Sequence, residues 1–199
     1  MDINCKKCRT LGEKLFLKGE KCFTPKCPLL RKKEKRRRGS KFTPFKKQLL
    51  EKRRIKLYYG TSERQLKRFY EMALKKKEST PLMLAQLLES RLDSIIFRLG
   101  FATSKRMARQ LVSHGHFLLN GRRCDIPSVI LKPNDKISIR EKSLKLKVFD
   151  GLKERLKKFT PPSYLELDKE KLEAKLVKAP QIEELNLPFD FQAIVESYS

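Results

Sequence analysis

The chain has 199 residues with 48 Lys/Arg against 23 Asp/Glu, a formal net charge of +25, and only 39% hydrophobic content. That length gives room for one medium domain or two small ones, each with a modest core and a heavily ionic surface. No apolar run approaches the roughly 18 residues of a membrane span. The charge is unevenly placed: residues 1–149 carry 40 Lys/Arg and 13 Asp/Glu, whereas the last fifty carry 8 and 10. The cations are spread over several elements instead of one basic amphipathic helix, which favours nucleic acid over an anionic membrane as the partner.

Cys5 and Cys8 form a C-x2-C pair, Cys22 and Cys27 form a C-x4-C pair, and thirteen residues separate them. Two close pairs joined by a loop let four thiolates converge on one tetrahedral ion, so the expected cofactor is one structural Zn2+ with four Cys ligands. A site closed by four sulfurs has no open position, and such an ion folds the segment without catalysing a reaction. The alternatives are a disulfide framework, a redox pair or four unliganded thiols. The lack of a signal-peptide pattern predicts a reducing compartment, which disfavours disulfides. A redox pair lacks the βαβ setting it needs. Cys124 stands alone and is read as a small buried residue.

The run from Arg31 to Ser40, with Arg36, Arg37 and Arg38 at its end, repels itself and is expected to be extended until a phosphate backbone neutralises it. Thr43-Pro44 signals a helix start, and the helix is expected to reach Tyr59 and stop at Gly60. Lys46, Lys47, Arg53 and Arg54 crowd this helix as candidate RNA contacts. Tyr58 and Tyr59 are read either as base-stacking rings or as core. Ser62 and Gln65 form a capping box for the next helix, with Leu66, Phe69, Tyr70, Ala73 and Leu74 at helical spacing. A third helix is expected from Thr80-Pro81 through Leu99, ended by Gly100.

Thr103 is expected to cap a short helix from Ser104 to Ser113. Met107, Ala108, Leu111 and Val112 lie on one face, and Lys105, Arg106, Arg109 and Gln110 on the other. His114-Gly115-His116 breaks it; each histidine is read either as a phosphate or ribose contact or as turn geometry. Phe117–Leu119 reads as a strand, Asn120-Gly121 as a hairpin turn, and Arg122 and Arg123 lie on the return strand. Pro133-Asn134-Asp135 marks another turn. Ile137 and Ile139, then Leu144, Leu146 and Val148, alternate with polar residues as strands do. The fold class expected is α+β. A helix bearing cations one turn apart, beside a hairpin that lifts two arginines, makes a concave basic surface that follows folded RNA by shape.

The stretches Leu88–Asp93, Arg98–Ala102, Ala108–His116 and Asn120–Arg123 resemble the RNA-binding module first recognised in bacterial small-subunit ribosomal protein S-four. Tyr59–Gln65, Lys75-Lys76-Lys77, the cysteine arm and the ending Ile194–Ser199 resemble that ribosomal protein family itself, in its zinc-bearing branch. The resemblance implies an S4-type module of helices on a small antiparallel sheet at residues 88–150, preceded by a zinc-binding basic arm at 1–42 and a helical domain at 43–87. The segment 186–199 is expected to complete the helical domain, and 151–185 to pack on the module. It further implies a non-enzymatic, cytoplasmic protein of the small subunit, without membrane or small-molecule substrate. Such a protein binds the 5′ domain of small-subunit rRNA first and nucleates assembly. Its implied neighbours are ribosomal proteins S-three and S-five and the channel where mRNA enters, a position from which decoding accuracy is influenced. The alternative is a non-ribosomal RNA-binding regulator or stress factor carrying the same module. An enzyme such as a pseudouridine synthase would need a catalytic domain that the fifty residues after Phe149 do not supply.

Overall fold

A nine-residue helix, α1 (Ile3–Leu11), opens the described chain and stops where Gly12 adopts a left-handed φ of +79°. The computed structural model describes residues 3–31, 43–181, 184 and 187–198. A 3-10 turn at Gly19–Cys22 and the short α2 (Pro28–Arg31) follow, then α3 (Pro44–Tyr59). Pro44 presets the helical φ of the first turn of α3, and Thr43 Oγ1 accepts the Lys46 N–H at 3.4 Å. Gly60, at φ +61°, ends the helix as expected. The capping box of α4 (Glu63–Leu74) is complete: Ser62 Oγ accepts the Gln65 N–H at 3.2 Å, and Gln65 Oε1 accepts the Ser62 N–H at 3.0 Å.

The helix expected from Thr80 to Leu99 is instead two helices, α5 (Thr80–Glu89) and α6 (Leu92–Arg98). The break has a long-range cause. Arg91 turns to an extended conformation and bridges Ile130, while Leu92 N–H donates to Val129 O and Leu131 N–H donates to Ser90 O. Backbone bonds to the 127–131 loop thus replace the intrahelical ones that the Ser90 carbonyl and the Leu92 N–H forgo. The next helix, α7 (Lys105–Ser113), starts one residue later than expected, because Ser104 and not Thr103 is its cap: Ser104 Oγ accepts the Met107 N–H at 3.2 Å.

Strands β1 (Phe117–Leu119) and β2 (Arg122–Cys124) form the expected hairpin, with Asn120 and Gly121 both at positive φ. After β3 (Lys136–Ile139), the alternation through Leu144–Val148 does not form a strand. It folds as α8 (Glu141–Leu144) and a 3-10 turn at Lys147–Phe149, which leaves Leu144, Leu146 and Val148 exposed. Beyond α9 (Leu152–Lys157), two further strands, β4 (Leu165–Asp168) and β5 (Glu173–Leu176), join the same antiparallel sheet, whose order is β2-β1-β3-β5-β4. Phe117 pairs with Ile139, Ile137 with Ala174, and Leu165 with Leu176, so one face of the sheet carries the buried residues. Phe101 stacks near Phe117 at 6.0 Å between centroids and belongs to the same core.

The chain divides into two compact units, Met1–Ala85 with Leu187–Ser199, and Gln86–Asn186. In the first, the last helix α10 (Phe191–Glu196) packs along α3. Asp190 caps it by accepting the Ala193 N–H at 3.0 Å and pairs with Lys47 at 3.0 Å. In the second, α6 and α7 pack together beside the five-stranded sheet.

Candidate nucleic-acid interface

The arm brings its four cysteines to one place. On α1, Cys5 and Cys8 are three residues apart and share a helix face. Cys22 ends the 3-10 turn, and Cys27 sits just before α2 with its N–H on Thr24 O. All four line one cavity of about 20 Å³, together with Leu17 and Leu29. Burial pushes the Cys8 thiol up, and so do the charges that Cys22, Cys5 and Cys27 would carry as thiolates, against the pull of a backbone bond at Leu15. The four cysteines share the lining of one small cavity but are not drawn together as a ligand set in this structure. Among the described residues no group of three or more His, Cys, Asp or Glu side chains forms a metal-holding cluster. Cys124 is half-buried at the end of β2.

The candidate cations of α3 divide into two kinds. Lys46 and Arg53 are exposed and seven residues apart, close to two helical turns. Lys47 is tied to Asp190. Arg54 is largely buried, paired with Glu13 and Glu51 and donating to Pro188 O at 3.3 Å. It holds the C-terminal segment against α3. Tyr58 and Tyr59 lie edge-on to each other at 5.0 Å, and Tyr58 meets Phe189 at 4.9 Å, so both rings belong to an aromatic cluster. Arg36, Arg37 and Arg38 lie outside the described residues.

In the second unit the expected basic row is shorter than the sequence suggests. Lys105 does not stand on the open face of α7: its side chain is 8% exposed, 2.7 Å from Glu89 and 3.1 Å from Ser94 Oγ. Glu89 has no exposed surface and also accepts from Arg98 Nε at 2.8 Å. Burial alone would raise the Glu89 carboxyl, but the charges of Lys105 and Arg98 outweigh it and hold it at about 2. Burial pulls Lys105 down to about 8, against the Glu89 charge. A second buried pair joins Arg91 Nε and Nη2 to both oxygens of Asp93, at 3.0 and 2.6 Å. Arg109 leans toward that pair, with Nη1 3.7 Å from Asp93 Oδ2, and keeps 35% of its side chain exposed.

Arg106, Arg122 and Arg123 are exposed. Arg123 lies over Gly115, where a β-carbon would collide with its guanidinium. The glycine therefore supplies both the left-handed φ of +72° that ends α7 and the space in which an arginine of β2 sits. His114 is exposed beside it. His116 is half-buried, 3.0 Å from Ser143 Oγ and edge-on to Phe149, and burial lowers its pKa, as do the charges of His114, Arg140 and Arg123. Asn120 Oδ1 accepts the Lys136 N–H and its amide donates to Asp135, both at 2.8 Å, which fixes the hairpin against β3. Arg123 over Gly115 thus sets the hairpin beside the end of α7, and Arg106, His114, Arg122 and Arg123 are exposed on these two elements.

Residues 90–137 match the S4 domain, and residues 2–89 match the Ribosomal protein S4/S9 N-terminal domain. The small ribosomal subunit protein uS4 of Thermoanaerobacter sp. (strain X514) is 46% identical over 199 residues, covering 98% of this chain and 96% of that one. Those of Kosmotoga olearia and Acetivibrio thermocellus are each 44% identical over 200 residues, with the same coverage. The chain belongs to the uS4 family.

The two matched segments of this uS4-family chain meet at Glu89 and Ser90, where α5 gives way to α6. Sequence reasoning missed the ionic cluster around that junction. Its signal was charge inside an apolar run: Glu89 and Asp93 stand four residues apart among Leu88, Leu92, Ile95 and Ile96. Charged residues at core spacing are the mark of buried pairs.

Proposed function

We propose that the chain is a structural rRNA-binding protein of the small ribosomal subunit. The observation that carries this reading is 46% identity to a small ribosomal subunit protein uS4 across 98% of the chain. A net charge of +25, concentrated before residue 150, suits a partner made of phosphate. The N-terminal family match supports the ribosomal reading over a shorter regulator or stress factor that carries the module alone. Its working place is then the cytoplasm, and its role is to hold RNA in shape without catalysing a reaction.

The finer reading is that it binds the 5′ domain of the rRNA first, nucleates assembly, and lies beside S-three and S-five at the channel where mRNA enters. The exposed cations of α7 and the β1–β2 hairpin are the natural contact for a folded RNA backbone. The arm, in the same reading, holds one zinc ion through Cys5, Cys8, Cys22 and Cys27, which supplies no chemistry beyond stapling α1 to the turn before α2.

Sedimentation tests the main reading. A structural component stays with the small subunit after a high-salt wash, and a factor is released. Native mass spectrometry with and without chelator tests the metal. One zinc per chain is expected, unchanged in Cys124→Ser; its absence from protein purified in reducing, zinc-replete buffer removes the metal from the reading.

A further inference from the structure

We propose that Phe23, backed by Phe16, is a stacking platform for an unpaired RNA base, which places a base contact on the cysteine arm; the proposal rests on the ribosomal reading above. The two rings are stacked, with centroids 4.9 Å apart and planes 26° from parallel. Phe16 is the anchored member. It lines the cysteine cavity with Leu17 and Leu29, and its backbone takes a φ of +50°, a left-handed conformation that side chains with a β-carbon rarely adopt. Phe23 lies on the outside of that anchor and is 71% exposed, against 42% for Phe16. A ring so exposed adds little to a core, and the residue stacked beneath it is held in a rarely adopted backbone conformation.

The surroundings indicate what the open ring face receives. Between Lys14 and Lys26 the arm carries four lysines, Lys14, Lys18, Lys21 and Lys26, against the single acid Glu20. Lys21 and Lys26 are exposed on either side of Phe23 in sequence. An apolar protein surface gains nothing from ammonium groups around its contact. A nucleotide satisfies both features: its base stacks on the ring and its neighbouring phosphates meet the lysines. Stacking is tolerant of sequence, because every base has a π-face, so the site selects an unstacked nucleotide over any particular base.

The chain has no tryptophan, so F23W introduces a single fluorescent reporter that keeps an aromatic face. The full-length protein in zinc-replete, reducing buffer is titrated with naked small-subunit rRNA. V177W serves as the control, because Val177 is 41% exposed outside the arm, in the last fifty residues, where acids outnumber basic residues. We expect strong quenching of F23W emission on binding and little change for V177W. Phe23→Leu, which keeps apolar volume and removes the ring, should bind rRNA about ten-fold more weakly at an unchanged melting temperature. If wild-type protein binds rRNA while F23W emission stays unquenched, or Phe23→Leu binds as well as wild type, the platform is overturned and the ribosomal reading stands. If F23W emission changes only in the assembled subunit and not on naked rRNA, the occupant is a protein and the proposal fails. If wild type does not bind rRNA, both readings fail.

Discussion

The Lys105 ammonium lies 2.7 Å from a Glu89 carboxylate that has no exposed surface, and Arg98 occupies the other oxygen at 2.8 Å. One buried anion therefore balances two cations drawn from the ends of α6 and α7. Removing it takes away the nearest counter-charge of both cations, the costly half of breaking a buried pair. Glu89→Gln should destabilise the second unit by about 3 kcal/mol or more, measured by denaturant unfolding. The pH dependence follows from the lowered carboxyl. A group held at about 2 in the fold and near 4.5 when unfolded contributes stability that is fully present above about 4.5. That contribution is lost as pH falls from 4.5 toward 2, and Glu89→Gln should lack it.

The elements that the sequence revealed are those whose signals are local. The Ser62–Gln65 box, the Thr43-Pro44 start, and Asn120-Gly121 each act within four residues, and each formed as expected. Apart from the one-residue shift of the α7 cap from Thr103 to Ser104, the expectations that failed depend on distant partners. The break at Ser90-Arg91 requires backbone bonds from Val129 and Leu131, nearly forty residues away. Lys105 looked like a surface cation because its helix neighbours place it opposite Leu111 and Val112; its true partner Glu89 is sixteen residues upstream. Leu144, Leu146 and Val148 alternate as a strand would, but β3 already pairs with β1 on one side and β5 on the other, so that sheet position is filled.

Gly115 and Arg123 give a test of how the hairpin is held. Gly115→Ala forces a β-carbon into the left-handed region, at a cost of about 1 kcal/mol, and into the Arg123 guanidinium. The guanidinium is the flexible end of its side chain and will move aside, so the melting temperature should fall modestly while Arg123 leaves its place. Combining Gly115→Ala with Arg123→Ala should show that the two changes are not additive in RNA affinity, since the first already displaces the second's side chain. Strict additivity in binding would mean that Arg123 does not act from its position over Gly115.

Tyr198 ties the end of the chain to α4. Its hydroxyl donates to Glu63 Oε1 at 2.8 Å, its ring stacks on Tyr70 at 4.9 Å, and Lys52 Nζ lies 3.7 Å from the ring centre. Tyr198→Phe removes the hydrogen bond alone and should cost about 1 kcal/mol in the first unit. Tyr198→Ala also removes the stacked ring and should cost about 1 kcal/mol beyond that. Two thermal melts distinguish them; equal effects would mean the ring contributes nothing.

The RNA face of the second unit is best tested at Arg106 and Arg122, because the structure removes two other choices. Lys105 is committed to Glu89, and an acidic residue in place of Arg109 would meet Asp93, so either change would confuse folding with binding. Arg106 and Arg122 are exposed, one on α7 and one on β2. Changing both to Glu should move stability by no more than about 0.5 kcal/mol each, as exposed substitutions do. Binding to rRNA should fall far more. The slope of log K against log salt should shrink by about 0.7 to 0.9 for each phosphate that the variant no longer neutralises. Leu111→Asp makes the opposite comparison. Leu111 is buried on the inner face of α7 beside Ala108 and Val112, where a carboxylate has no partner, so this variant should unfold the unit. Melting curves and rRNA titrations at several salt concentrations measure both effects. A double Glu variant that melts early yet keeps its rRNA affinity and salt slope would show that these arginines serve the fold and that RNA is met elsewhere.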